Sequence, residues 1–407
     1  MVAKKELLKL LLWIFFLFLN LQMLSLNGWL TLYGAKGSLL DMIKLYHVVS
    51  FILLIFFFRK GHFFSPKLPN FIWHFFILVF AFSAVLNFFY GFNSFIINYL
   101  FCFYTLLIGL LVKEYLTLEE IISIFKQISL VIFVIVFFKL IYYSEELLRF
   151  IREPWGHPDV ETLYGGGVNL EATWLAFNSA FFMNSKKRYF YTFMAFTLLV
   201  GLLYASRVGV VLTLLIYFFR FISPAVTHKE RVWVFKAVLA VLIIFIFYID
   251  YSKLTEKLYG LERFAHFNSS QDRGMAGRKA MWQYFPQALK ESNWFGYGAG
   301  NSMKALEDIG NIDFEEDNPH NYYMQLSLEF GIVMLFVYLL LVYNLVRIFW
   351  KKKFSDSFSV ILIAYFIGSL IQFRGVEPLI WLYIGILLYS EYQSGTSIPK
   401  ILNYKND

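Results

Sequence analysis

Mostly apolar runs of roughly 17 to 25 residues, the length that crosses about 30 Å of hydrocarbon as an α-helix, recur along the whole of this chain. They lie near 7–26, 39–58, 71–90, 95–112, 121–143, 168–184, 189–205, 207–222, 232–250, 322–349, 358–373 and 378–391. Little room is left for a soluble domain. The composition agrees, with 59% hydrophobic and only 16% charged residues and a mean hydropathy of +0.60, against roughly 25% charged in a soluble domain. The expected fold class is all-α: a polytopic integral membrane protein of about 12 transmembrane helices.

A net charge of +8 would point to nucleic acid in a soluble protein. Here every second loop is basic: Lys4, Lys5 and Lys9; Arg59, Lys60 and Lys67; Lys113 and Lys126; Lys186, Lys187 and Arg188; Lys229 and Arg231; Lys351, Lys352 and Lys353. That alternation is the positive-inside pattern and places both termini in the cytoplasm, with no nucleic-acid partner. The start imitates a signal peptide, but no small-x-small site follows, so it reads as the first span. Cys102, the only cysteine, lies in an apolar run, which excludes a disulfide framework or thiolate metal site. The expected organisation is a single membrane domain: N-terminal helices 1–160, central helices 161–250, a large outer-face loop 251–320 containing short helices, and C-terminal helices 321–407. No pair of Gly/Pro-broken helices recurs in the two halves, as an inverted-repeat transporter would tend to show.

The 251–320 loop is far longer than an ordinary connection, so chemistry is sought there. Gly277 to Phe285 reads as an amphipathic helix, with Arg278 in its first turn and Met281, Trp282 and Phe285 facing the membrane interface. Gly296, Gly298 and Gly300 alternate, allowing close backbone approach, without the strand and helix of a dinucleotide fold. The loop ends in Asn318-Pro319-His320-Asn321. Pro319 suits a first helical turn and Asn318 or Asp317 its cap, which puts His320 at the outer N-terminus of the next span. The helix dipole there disfavours imidazolium, and a neutral imidazole can act as a general base. A plain capping or headgroup role is the alternative. Arg207 falls at the outer end of an apolar span, where an ionisable group is a functional candidate and snorkelling is the plain reading. Two guanidiniums and an imidazole on one face suit a pyrophosphate-linked substrate. Arg263, Arg273 and Lys279 remain open as substitutes for either arginine. Asn321, Tyr322 and Gln325 are candidates for orienting an acceptor or supporting His320. Glu329 is open between packing and the site, while Glu171 and Asn169 are placed outside it. Asp313, Glu315, Glu316 and Asp317 read as a solvated face, so neither metal nor cofactor is expected.

Ser206-Arg207-x-Gly209, Gly277-Arg278-x-x-x-Trp282, Gly296-x-Gly298-x-Gly300 and Pro319-His320-Asn321 followed by Glu329-x-Gly331 together resemble the O-antigen ligase and polymerase superfamily over about 160–350. The resemblance implies a GT-C-like membrane glycosyltransferase of the bacterial inner membrane, working without metal at the periplasmic face. Its donor would be a glycan on undecaprenyl pyrophosphate. The acceptor would be a lipid A-core sugar in a ligase, the first expectation, or a second lipid-linked glycan in a polymerase. Carried over, Arg207 and Arg278 bind the pyrophosphate and His320 deprotonates the acceptor. A flippase of lipid-linked glycans is the alternative of another class, but it would need polar residues at mid-membrane, where these runs carry Phe, Leu, Ile and Val.

Overall fold

The computed structural model describes residues 2–29, 43–58, 70–91, 93–152, 158–224, 226–236, 273–314, 318–373 and 375–393. They are overwhelmingly helical. Helices α1 (Val2–Asn20), α2 (Leu45–Phe58), α3 (Asn70–Tyr90), α4 (Ile96–Tyr115) and α5 (Leu118–Tyr142) are followed by the short α6 (Ser144–Arg152). Then come α7 (Gly167–Ala180), α8 (Lys187–Leu203), α9 (Arg207–Ile222) and a helical stretch at 228–236. The loop contributes α10 (Arg273–Trp282), α11 (Phe285–Glu291) and α12 (Ser302–Gly310), and the chain continues in α13 (Tyr322–Lys351), α14 (Ser357–Gly368) and α15 (Pro378–Gln393). A two-residue hairpin, β1 (Leu24–Ser25) and β2 (Gly28–Trp29), follows α1, pairing Leu24 with Trp29 and Ser25 with Gly28.

Every expected span contains a helix; of 232–250 only 232–236 lie among the described residues, and they are helical. Among the described residues four helices are long and apolar enough to cross a membrane: α3 over Ile72–Tyr90, and α4, α5 and α13. The chain is thus helical and multi-pass. Helix α14 is shorter than the expected 358–373; its 12 residues rise only about 18 Å.

Hydrocarbon supplies no hydrophobic drive between helices, so tight packing and interhelical hydrogen bonds must hold them together. Both are present. Phe16, Phe125, Phe181, Phe358 and Tyr383, from five different segments, interlock in the core, with Phe16 stacked 4.0 Å from Phe125. At the α4–α15 crossing Gly109 faces Leu382 and Gly385 faces Leu106 so closely that a Cβ on either would overlap a carbonyl oxygen. Buried Asn178 donates to Asn20 (2.8 Å) and accepts from Ser129 (3.1 Å), joining α7 to α1 and α5. At the basic end Thr117 and Glu120 form a capping box, and Lys5 and Lys9 reach Glu120 at 2.8 and 3.1 Å.

Helix α13 is two helices. Gly331, at φ 81° and ψ 177°, breaks it, a conformation reserved almost wholly for glycine. The Tyr322 and Tyr338 rings pack edge to face at 5.0 Å, although sixteen residues on a continuous helix would separate them by about 24 Å. Segment 322–330 therefore folds back beside 332–351 instead of extending it. The remaining 332–351 stretch is about 30 Å long and suffices to span a bilayer.

Candidate active site

The described part of the loop has its own small core. Met281, Ala288, Leu289 and Leu306, from α10, α11 and α12, pack with Leu328 of α13, flanked by Trp282, Phe285 and Phe314. This corrects the expectation that Met281, Trp282 and Phe285 face the membrane interface. Their apolar side is taken up by α12, an amphipathic helix across the loop. Gly277 to Phe285 is also not one helix: α10 runs from Arg273 to Trp282 and α11 starts at Phe285, so Arg278 sits in mid-helix and not in a first turn.

The break at Gly331 explains the glycine turn. Where α13 stops being helical, its carbonyls are free to pair with the loop: Tyr297 N–H donates to Leu328 O (2.7 Å) and Gly298 N–H to Glu329 O (2.8 Å), while Ile332 N–H donates to Trp294 O (3.0 Å). A Cβ on Gly296 would lie 2.7 Å from the Glu329 carbonyl carbon, so only glycine lets the two backbones meet. The Glu329 side chain, fully buried, accepts from Tyr99 of α4 (2.8 Å) and Gln325 (2.9 Å). Asn93, just before α4, donates to Asn301 (3.3 Å) at the far end of the turn. Burial, with Glu291 nearby, pushes the Tyr297 hydroxyl up to about 12, so it stays protonated and donates to Ala288 O (2.7 Å).

Two of the expected site residues converge on one short turn after α14. Arg278 donates from Nη1 to Ile371 O (2.9 Å). Tyr322 N–H donates to Ser369 O (2.8 Å). Trp282, one helical turn beyond Arg278, donates to Pro319 O (2.8 Å), the residue before His320. His320 and Arg278 are thus fixed through the 369–371 backbone and through the Trp282 indole. Both are partly buried.

The start of α13 differs from the expectation. Asn321, not Asn318 or Asp317, is the cap: its side chain accepts from Met324 N–H (3.1 Å). Asn318 instead accepts from His320 N–H (2.9 Å) in an Asx turn that puts His320 at φ 52°. His320 precedes the helix and, because 322–330 folds back, it does not crown a straight span. In the segment that follows, Asn321 caps the helix, Tyr322 is fully buried and Gln325 is bound to Glu329.

Arg207 opens α9. Ser206 caps that helix by accepting from Gly209 N–H (3.2 Å), and a Cβ on Gly209 would lie 2.6 Å from the Ala172 Cβ, so α9 rests directly on α7. Farther along α9, Leu212 packs against Gly368, one residue before the turn that holds Arg278 and Tyr322. Phe373, closing that turn, stacks on Phe177 of α7 at 5.9 Å. Helix α9, which Arg207 opens, and α7 beneath it therefore pack beside the turn that holds Arg278. Lys279 is exposed, and Arg263 and the acids at 315–317 lie outside the described residues.

Sequence reasoning missed the 368–373 turn. Its contribution is backbone carbonyls, which side-chain identity does not encode; the available signal was the polar break Gln372-Phe373-Arg374-Gly375 between two apolar runs.

No curated protein matches the chain. Residues 189–339 match the family model described as O-antigen ligase. The resemblance to the O-antigen ligase and polymerase superfamily therefore holds over 189–339, the stretch that carries Arg207, Arg278, the glycine turn, His320 and the break at Gly331.

Proposed function

We propose that this chain is an O-antigen ligase: it transfers a glycan from undecaprenyl pyrophosphate to a sugar hydroxyl of the lipid A core, at the periplasmic face of the inner membrane, by inverting, metal-independent chemistry. In this reading the apolar runs supply about twelve spans, and the alternation of basic loops supports cytoplasmic termini and an outer-face position for 251–320. The observation that carries the reading is the convergence of Arg278 and the His320 segment on carbonyls 371 and 369 of one turn, inside a stretch matched by the O-antigen ligase family.

In this mechanism the His320 imidazole takes the proton of the acceptor hydroxyl as its oxygen attacks the anomeric carbon. The bond from that carbon to the pyrophosphate oxygen breaks, and the electron pair leaves on the phosphate. Arg207 and Arg278 face the departing charge; preorganised donors aimed at developing charge are commonly the largest single catalytic contribution. Attack opposite the leaving group inverts the anomeric centre. Asn321, Tyr322 and Gln325, which fix the start of α13 next to His320 through Met324, Ser369 and Glu329, are the supporting residues in this reading.

Arginine is required here for its planar fork. Arg278→Ala is expected to lower kcat/KM for the lipid-linked donor by about 10² or more, as loss of one such donor does elsewhere. Arg278→Lys should recover only part of it, because an ammonium keeps the charge and loses the bidentate geometry. Steady-state kinetics over a donor concentration series decides this; full activity in Arg278→Ala would remove Arg278 from the site.

A further inference from the structure

The sequence leaves Glu171 outside the site, yet its carboxylate is bonded to Tyr204, three residues before Arg207. Its side chain is fully buried in the second turn of α7. It accepts from Lys139 of α5, from the Tyr204 hydroxyl (2.8 Å) and from Leu163 N–H (2.6 Å). Lys139 also donates to Glu161 O (2.9 Å), and its ammonium lies 5.4 Å from the Tyr204 ring centroid. One carboxylate thus joins α5, the 161–163 segment, α7 and the end of α8.

Tyr204 begins the turn that delivers Arg207. Ala205 sits at φ 46°, Ser206 N–H donates to Gly201 O (2.8 Å), and the Ser206 hydroxyl reaches Asn169 O (3.4 Å) while capping α9. The turn is therefore held on α7 from both sides, by Tyr204 on Glu171 before the left-handed residue and by Ser206 on Asn169 after it. A buried ion pair with apolar surroundings is weak evidence for stability. A burial that fixes the direction of an adjacent guanidinium has a different use, since a misplacement of about 1 Å in a catalytic group costs about 10²-fold.

We propose that Glu171, Lys139 and Tyr204 form a positioning triad for Arg207, setting the α8–α9 turn so that the guanidinium is presented to the pyrophosphate of the donor. The proposal rests on the reading of Arg207 as a donor contact. Glu171 touches no reacting atom in this scheme and acts only through the turn.

The experiment is a double-mutant cycle on full-length protein, reading kcat/KM for a lipid-linked glycan donor in wild type, Tyr204→Phe, Arg207→Ala and the double variant. Tyr204→Phe keeps the ring and deletes one hydrogen bond, leaving Glu171 its Lys139 and Leu163 partners. The expected result is a loss of about tenfold in Tyr204→Phe, below the ceiling for full misplacement, and no further loss when it is added to Arg207→Ala. Ser206→Ala, which loosens the same turn from its other side, should behave alike and replaces Tyr204→Phe if that variant does not fold. An equal loss in both backgrounds would mean a general structural role and overturn the proposal, as would wild-type donor kinetics in both turn variants beside an impaired Arg207→Ala. If Arg207→Ala itself is fully active, the assignment of Arg207 to the donor fails, and the triad has no guanidinium to position.

Discussion

His320→Ala is expected to lower the rate of glycan transfer by about 10² to 10⁴-fold, the contribution of one well-placed general base, with the protein still inserted and folded. Alanine at φ 52° carries a small backbone penalty of about 1 kcal/mol, so a second variant is informative. His320→Asn tolerates the left-handed conformation and still lacks a base. Both variants should lose transfer alike, while His320→Asn keeps the wild-type unfolding temperature. Retained transfer in His320→Asn would show that the imidazole carries no proton in the reaction.

Gly331→Ala should be strongly damaging. An added Cβ at Gly331 would overlap the Trp294 carbonyl oxygen, the acceptor for Ile332 N–H, and the backbone at φ 81° and ψ 177° excludes other residues. Such a conformation costs about 1–3 kcal/mol for a side chain, and undocking the glycine turn adds buried Leu328 and Glu329 carbonyls left without their loop donors, about 1–3 kcal/mol each. A marked fall in the detergent-solubilised unfolding temperature together with loss of transfer is expected. Gly277→Ala is the control: nothing lies within 4 Å of its added Cβ, and alanine in a helix is favoured over glycine by about 0.5–1 kcal/mol. If Gly331→Ala is as stable as Gly277→Ala, the turn is not docked on a broken helix.

The spans were legible because an apolar run long enough to cross a bilayer can satisfy its backbone only as a helix. The positions of Arg207, Arg278, the glycine triplet and His320 were legible as local motifs. What could not be read was how they meet. The pattern Leu328-Glu329-Phe330-Gly331-Ile332 continues an ordinary span; its break depends on residues 294–298, which pair with it across some thirty residues of chain. Pro319 and Asn318 gave a plausible helix start, but the Asn318 side chain bonds His320 N–H in a turn, and Asn321 takes over the cap. Glu171 looked peripheral because three of its four connected segments are remote from it or carry only a backbone amide or a tyrosine. The apolar side of α10 and α11 resembled a membrane face until α12 covered it.

The measurement that bears most directly on the central claim is release of undecaprenyl pyrophosphate from a lipid-linked glycan by the purified protein, in chelator, with lipid A core as acceptor. The account predicts transfer to the core with inversion at the anomeric carbon, lost in His320→Asn. Failure of the folded protein to transfer glycan to the core, or transfer that His320→Asn leaves intact, would contradict it, and extension of a second lipid-linked glycan in place of the core would make the enzyme a polymerase.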